Sequence, residues 1–184
     1  YLHGPSAARS VVDAVRAARE LVEDASARWA VAGHSQGGHA ALFTAELAET
    51  LAPELELVGA VALAPVGDLA VLFEPGSDRR RLLVPLLAEG ILAANPDVEP
   101  DEILTPYGLE AVEAARRTCL AEASTQRVLR DGLAAVDEYL AENSPGRAPA
   151  MVPVLVLQGT DDELTTPSST RAVVAGLCER GDTV

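Results

Sequence analysis

The stretch RWAVAGHSQGGHAAL, residues 28–42, constrains this chain more than any other. An apolar run, Trp29–Ala32, ends at Gly33 and reads as a buried central strand. SQGGHAALFTAELAETLA then reads as a helix of about four to five turns, ended by Pro53. Between them, Gly33-His34-Ser35-Gln36-Gly37 matches G-x-S-x-G. A serine on so short a strand-to-helix turn needs unusual backbone angles, and these lift its hydroxyl clear of the sheet. Gly33 and Gly37 are expected to flank it because side chains there would collide with the neighbouring helix or strand. Gly38 is expected to let the helix approach closer still. The helix N-terminus turns its partial positive charge toward the serine. The backbone N–H of Gln36 becomes a candidate donor to an oxyanion. The same turn could instead be a Gly-rich strand–helix junction with a serine cap, or a phosphate loop. No Lys follows it and G-x-G-x-x-G spacing is absent, which argues against phosphate.

The flanking sequence supplies the setting. Residues 6–24 are helical by period: Val11, Val15, Ala18 and Val22 fall on one face, and Arg9, Asp13, Arg16 and Glu20 on another. Ser6 is the expected N-cap. LELVGAVALAP, 55–65, reads as a second buried strand and VPVLVLQG, 152–159, as a third. A last helix starts at 167. With 48% hydrophobic but only 3% aromatic residues, Ala, Val and Leu must build the core, which suits helices packed on a parallel sheet. The alternation of helix and strand predicts an α/β fold with a parallel sheet flanked by helices.

The middle breaks that rhythm. Between Pro65 and Pro153 no strand pattern stands out; helical patterns fall near 79–93, 108–120 and 121–142. The organisation expected is a core of residues 1–66 and 151–184 interrupted by an all-helical insertion over 67–150. Both ends read as cut, so the chain is expected to be a segment of a longer protein.

A net charge of −14 over 184 residues argues against nucleic acid or an anionic membrane as partner. No apolar run is long enough to cross a membrane. Cys119 and Cys178 are too few for a disulfide scaffold and lack metal-ligand spacing. They could pair with each other, pair outside the chain or stay reduced.

A nucleophilic serine needs a base and an acid. Asp161 and Asp162, just past the third strand in LQGTDDELTTP, would share a sheet edge with Ser35; Asp68, after the second strand, is a further candidate. Periodicity does not choose among them, and each could equally serve a turn or a helix cap. The three histidines are His3, His34 and His39. His34 adjoins Ser35 on the tight turn, where its side chain should point away. His39 lies one turn into the helix, where it should pack or cap, and His3 is in an N-terminal loop. None is well placed as a base.

GHSQGG, with YLHGPSAARSVVDAVRAARE, LELVGAVALAPVGDL and VPVLVLQGTDDELTTP, resembles the α/β-hydrolase superfamily, and more closely the secretory lipases of actinobacteria and fungi. The resemblance implies Ser35 as nucleophile, the Gln36 N–H as one oxyanion donor, and an acid placed as G-x-x-D, which counted from Gly159 is Asp162. It implies a helical cap or lid, an ester or lipid substrate, secretion, and no cofactor or metal. It puts the second oxyanion donor before Tyr1 and the histidine base beyond Val184, so neither the first strands nor the final strand and histidine region would be in this chain. A lipase or carboxylesterase is expected. An acyltransferase, a peptidase, a cutinase-like esterase, or a hydrolase-fold protein that only binds are the rivals.

Overall fold

The computed structural model describes residues 1–73, 81–118 and 126–184. The order of elements is α1 (Gly4–Leu21), β1 (Arg28–His34), α2 (Gln36–Leu51), β2 (Glu56–Leu63), a 3₁₀ turn (Leu69–Phe73), α3 (Val84–Ala94), α4 (Pro100–Ile103), α5 (Pro106–Thr118), α6 (Ala134–Glu142), β3 (Val154–Leu157) and α7 (Pro167–Glu179). The chain divides into two compact units, one of Leu2–Asp68 with Asn143–Val184, the other of Leu69–Glu142 with Tyr1.

The first unit holds the sheet. Its three strands are all parallel, in the order β1-β2-β3. Alternation along the strands puts Val31, Ala60, Ala62 and Val154 on one face. There they pack with Ala41, Leu42 and Ala45 of α2 and with Val173 and Leu177 of α7. Small residues on both the strands and α2 let helix and sheet approach closely, so a core almost without aromatic residues still closes. A second cluster of Val12, Ala52 and Leu55 ties α1 to the end of α2.

The start of α1 differs from the expected one. The helix begins at Gly4, and His3 caps it: its Nδ1 accepts the Ser6 N–H at 3.2 Å. Pro5 sits in the first turn, where its missing N–H costs nothing, so the cap falls before it and Ser6 lies inside the helix.

The second unit is helical, apart from an isolated antiparallel bridge between Leu104 and Leu129. The helix expected over 121–142 is confined to Ala134–Glu142 among the described residues. Residues 126–133 instead run as a loop. Thr105 and Arg130 hold it through Thr105 N to Val128 O and Arg130 N to Ile103 O, each 2.9 Å. Gly132, at φ 68°, turns the chain into α6. The apolar period of Val128, Leu129 and Leu133 therefore reflects a loop that is mostly exposed but turns Val128 and Leu129 inward, and not a helix face. This unit contains a cavity of about 540 Å³ lined in part by Leu72, Phe73, Val84, Leu129, Leu133 and Leu140. Residues 79–80 and 119–125 of the expected helices, with Cys119, lie outside the described residues. Cys178 is exposed on α7.

Candidate active site

The three strands end at one edge of the sheet, and the candidate residues collect there. His34, Leu63 and Leu157 stand in one row across the strands. Ser35 and Gln158 are each the next residue after that row, with β2 between them.

Ser35 has φ 57° and ψ −114°, a conformation that side-chain-bearing residues rarely adopt. Its neighbours impose it. The Ser35 N–H donates to Leu63 O at 2.9 Å, which fixes the turn to the end of β2. Its carbonyl accepts the His39 N–H at 3.0 Å as α2 begins. A Cβ on Gly33 would lie 2.0 Å from Gly37 O, so only glycine fits there. A Cβ on Gly38 would meet Leu63 O and Pro65 Cα at 3.0 Å, so small size is what seats α2 against β2. Gly37 departs from the expectation. A Cβ there meets nothing within 4 Å, because the crowding is against its backbone and comes from Gly33. The Ser35 hydroxyl makes no capping bond. Gln36, as the first helical residue, has an N–H with no acceptor inside its own helix. A bare hydroxyl beside unspent N–H groups at a helix N-terminus suits an attacking oxygen next to an oxyanion site.

The acid loop is held differently. Asp162 Oδ1 accepts the backbone N–H of Leu164 at 2.9 Å and of Thr165 at 3.0 Å. Its Oδ2 accepts from Thr165 Oγ1 at 2.9 Å and Gln158 Nε2 at 3.2 Å. Burial pushes this carboxyl up, but the donors from Thr165, Leu164 and Gln158 outweigh it and hold the group below the usual carboxylate range. Asp161, its neighbour, is exposed in the turn. Asp68 is also exposed, and its N–H donates to Ser169 Oγ at 3.4 Å. The geometry thus separates two aspartates that sequence alone leaves equivalent.

The histidines are placed elsewhere. His39 is fully buried, packs on Phe43 with ring centroids 4.9 Å apart, and bonds through Nε2 to Asn143 O at 2.8 Å. Burial pushes its pKa down to about 4, so it stays neutral and structural. Asn143 Oδ1 in turn accepts the Gly4 N–H at 2.8 Å. His3 caps α1. His34 is exposed at the end of β1. Among the described residues no histidine side chain hydrogen-bonds Ser35, no cluster of His, Cys, Asp and Glu has the geometry of a metal site, and no helix is long and apolar enough to cross a membrane.

Thr165, Gln158 and Thr170, which hold the acid loop, carried no signal in the sequence beyond the helix-start pattern TTPSS. They act through hydrogen bonds that stay within residues 158–170, of which only the Asx-type bonds from Asp162 to the following N–H groups have a sequence signature.

A parallel sheet, a strained serine between strand and helix, and an acid on the same edge define an α/β-hydrolase fold. Two solved structures share it across nearly all of this chain. One is a rice cell wall degrading esterase from Xanthomonas oryzae (TM-score 0.75, 21% identity, 99% of this chain and 57% of that one). The other is lipase A of Candida antarctica (TM-score 0.83, 20% identity, 100% of this chain and 48% of that one). The chain therefore spans about half the length of the solved structures it resembles. The Secretory lipase family profile matches residues 1–140, and the chain belongs to that family. No curated protein matches it significantly in sequence.

Proposed function

We propose that this chain carries the nucleophile and the acid of a secreted serine ester hydrolase, a lipase or carboxylesterase. The observation that carries the reading is Ser35. Its backbone is strained, it is locked by Gly33 and Leu63, and its hydroxyl makes no capping bond at the start of α2. In the reaction, Ser35 Oγ attacks the ester carbonyl carbon while a histidine takes the hydroxyl proton. The Gln36 N–H receives the oxyanion. The intermediate collapses to an acyl-enzyme, and the alcohol leaves with the proton from the imidazolium. Water then repeats the sequence, releasing the carboxylic acid and restoring Ser35.

Asp162 orients the histidine and stabilises its charged form. Its low pKa and its four donors support it over Asp161. With β2 between them, Ser35 and Gln158 start two strand spacings apart, about 10 Å, which leaves room for an imidazole. His39 is spent on Asn143 and His3 on α1, and His34 is exposed at the end of β1, so none of the three is placed as the base. The helical unit falls between β2 and β3 in the chain, where a cap insertion is expected, and its own cavity is partly apolar.

The test is a fluorophosphonate probe on the whole protein that carries this chain. Labelling of Ser35 is expected, and its loss in Ser35→Ala. A protein that never labels at Ser35 would sink the hydrolase reading and favour a binding role. In the active protein Asp162→Asn should lower kcat by about 10⁴-fold, and Asp161→Asn by less than about threefold. Equal effects would remove Asp162 from the site.

A further inference from the structure

The role of Thr165 rests on the reading of Asp162 as the acid of a serine hydrolase. Thr165 grips both oxygens of the Asp162 carboxylate: its backbone N–H donates to Oδ1 at 3.0 Å and its hydroxyl donates to Oδ2 at 2.9 Å. A carboxylate held at both oxygens by one residue cannot rotate about its Cβ–Cγ bond. Thr165 is itself almost wholly buried. Its carbonyl accepts Gln158 Nε2 at 2.9 Å. Gln158 Oε1 accepts the hydroxyl of Thr170 at 2.6 Å, and Thr170 is also buried, on α7. The loop is thus braced from the end of β3 to the first turns of α7 through a continuous set of side-chain bonds. A simple Asx turn would need only the two backbone donors to Oδ1. The hydroxyl on Oδ2 and the Gln158–Thr170 brace are additional, and each removes a freedom of the carboxylate or of the residue gripping it.

We propose that Thr165 is a positioning residue of the hydrolase. It clamps the plane of the Asp162 carboxylate so that an imidazole N–H meets a fixed acceptor, and Gln158 and Thr170 hold Thr165 in place. Thr165 acts through Asp162 and does not touch substrate.

Three variants of the whole, active protein test this with p-nitrophenyl butyrate as substrate. Thr165→Val keeps the shape and removes the hydroxyl, and kcat should fall about tenfold with KM within about twofold. Thr165→Ser restores the donor and should return kcat to within about twofold of wild type. Gln158→Leu withdraws the brace and should lie between them. A residue acting through Asp162 has no further effect once the acid is gone, so Thr165→Val should add nothing in an Asp162→Asn background. Independently of activity, the ¹³C titration midpoint of the Asp162 carboxyl should rise in Thr165→Val and not in Thr165→Ser. If Asp162→Asn cripples the enzyme but Thr165→Val leaves kcat and the midpoint unchanged, the proposal is overturned and the acid assignment stands. If Asp162→Asn is itself harmless, both fall. Should Thr165→Val not fold, the same cycle with Thr170→Val, which removes a brace that does not touch Asp162, decides, and additive losses there overturn the proposal.

Discussion

The serine turn and the acid loop sit at the same sheet edge, yet they are built by opposite means. The turn is held by shape. Gly33 fits against the Gly37 backbone with no space for one more carbon, and Ser35 is forced to positive φ by backbone bonds. The loop is held by hydrogen bonds, with four donors on one carboxylate and a brace of Gln158, Thr165 and Thr170 behind it. A site held by sterics is rigid under all solvent conditions but tolerates no added atom. A site held by hydrogen bonds accepts conservative replacement, and it depends on the ionisation of its central group.

The sharpest way to break this comparison is Gly33→Ala. A Cβ 2.0 Å from Gly37 O cannot be accommodated without moving β1 or α2. A loss of more than about 3 kcal/mol is expected, visible as a fall in Tm of roughly 10 °C. A variant that melts near wild type would show that the turn relaxes and is not held by shape.

Asp162→Ala comes next. It strands the N–H groups of Leu164 and Thr165 and the buried Thr165 hydroxyl, at a cost of about 2 kcal/mol in thermal unfolding. The acid loop should also respond to pH. The folded pKa of Asp162 is depressed, so its stabilisation is present above the ordinary carboxylate value and is lost as pH falls through the folded one. Hydrogen exchange of the Leu164 and Thr165 amides should therefore gain protection with rising pH in that range, beyond the intrinsic rate change, while amides of the serine turn keep theirs. Equal responses in the two regions would erase the distinction.

The smallest effect is expected at Gly37. It is helical and has open space around its Cβ position, so Gly37→Ala should leave stability unchanged or raise it by up to about 1 kcal/mol. A strong destabilisation would mean that Gly37, like Gly33, is sterically required.

Much of the fold was legible in the chain. The apolar runs at Trp29–Ala32, 55–65 and 152–159 marked where the three strands lie but not their burial: β2 and not β1 is the middle strand, and Ala30 and Ala32 of β1 and Leu155 and Leu157 of β3 are exposed. Helix periods marked α1, α2 and α7. The GHSQGG turn marked the candidate nucleophile, because few residues can pass from strand to helix that sharply. What misled was periodicity without context. Val128, Leu129 and Leu133 keep a helical spacing, yet they line a loop pinned by Thr105 and Arg130. Ser6 looked like a cap, but Pro5 had already started the helix and His3 capped it.

The sequence alone thus determined that Ser35 would stand at a strand end on glycines, since that demand is local and steric. Tertiary structure decided the rest. It distinguished Asp162 from Asp161 by surrounding one with donors and leaving the other in solvent. It committed His39, four residues from Ser35, to the buried Asn143 carbonyl and made it a neutral core residue. Asn143 lies 104 positions from His39, so that bond forms only when the sheet and its helices come together, whereas the donors to Asp162 lie within four residues of it and the folded turn decides only that its carboxylate, and not that of Asp161, faces them.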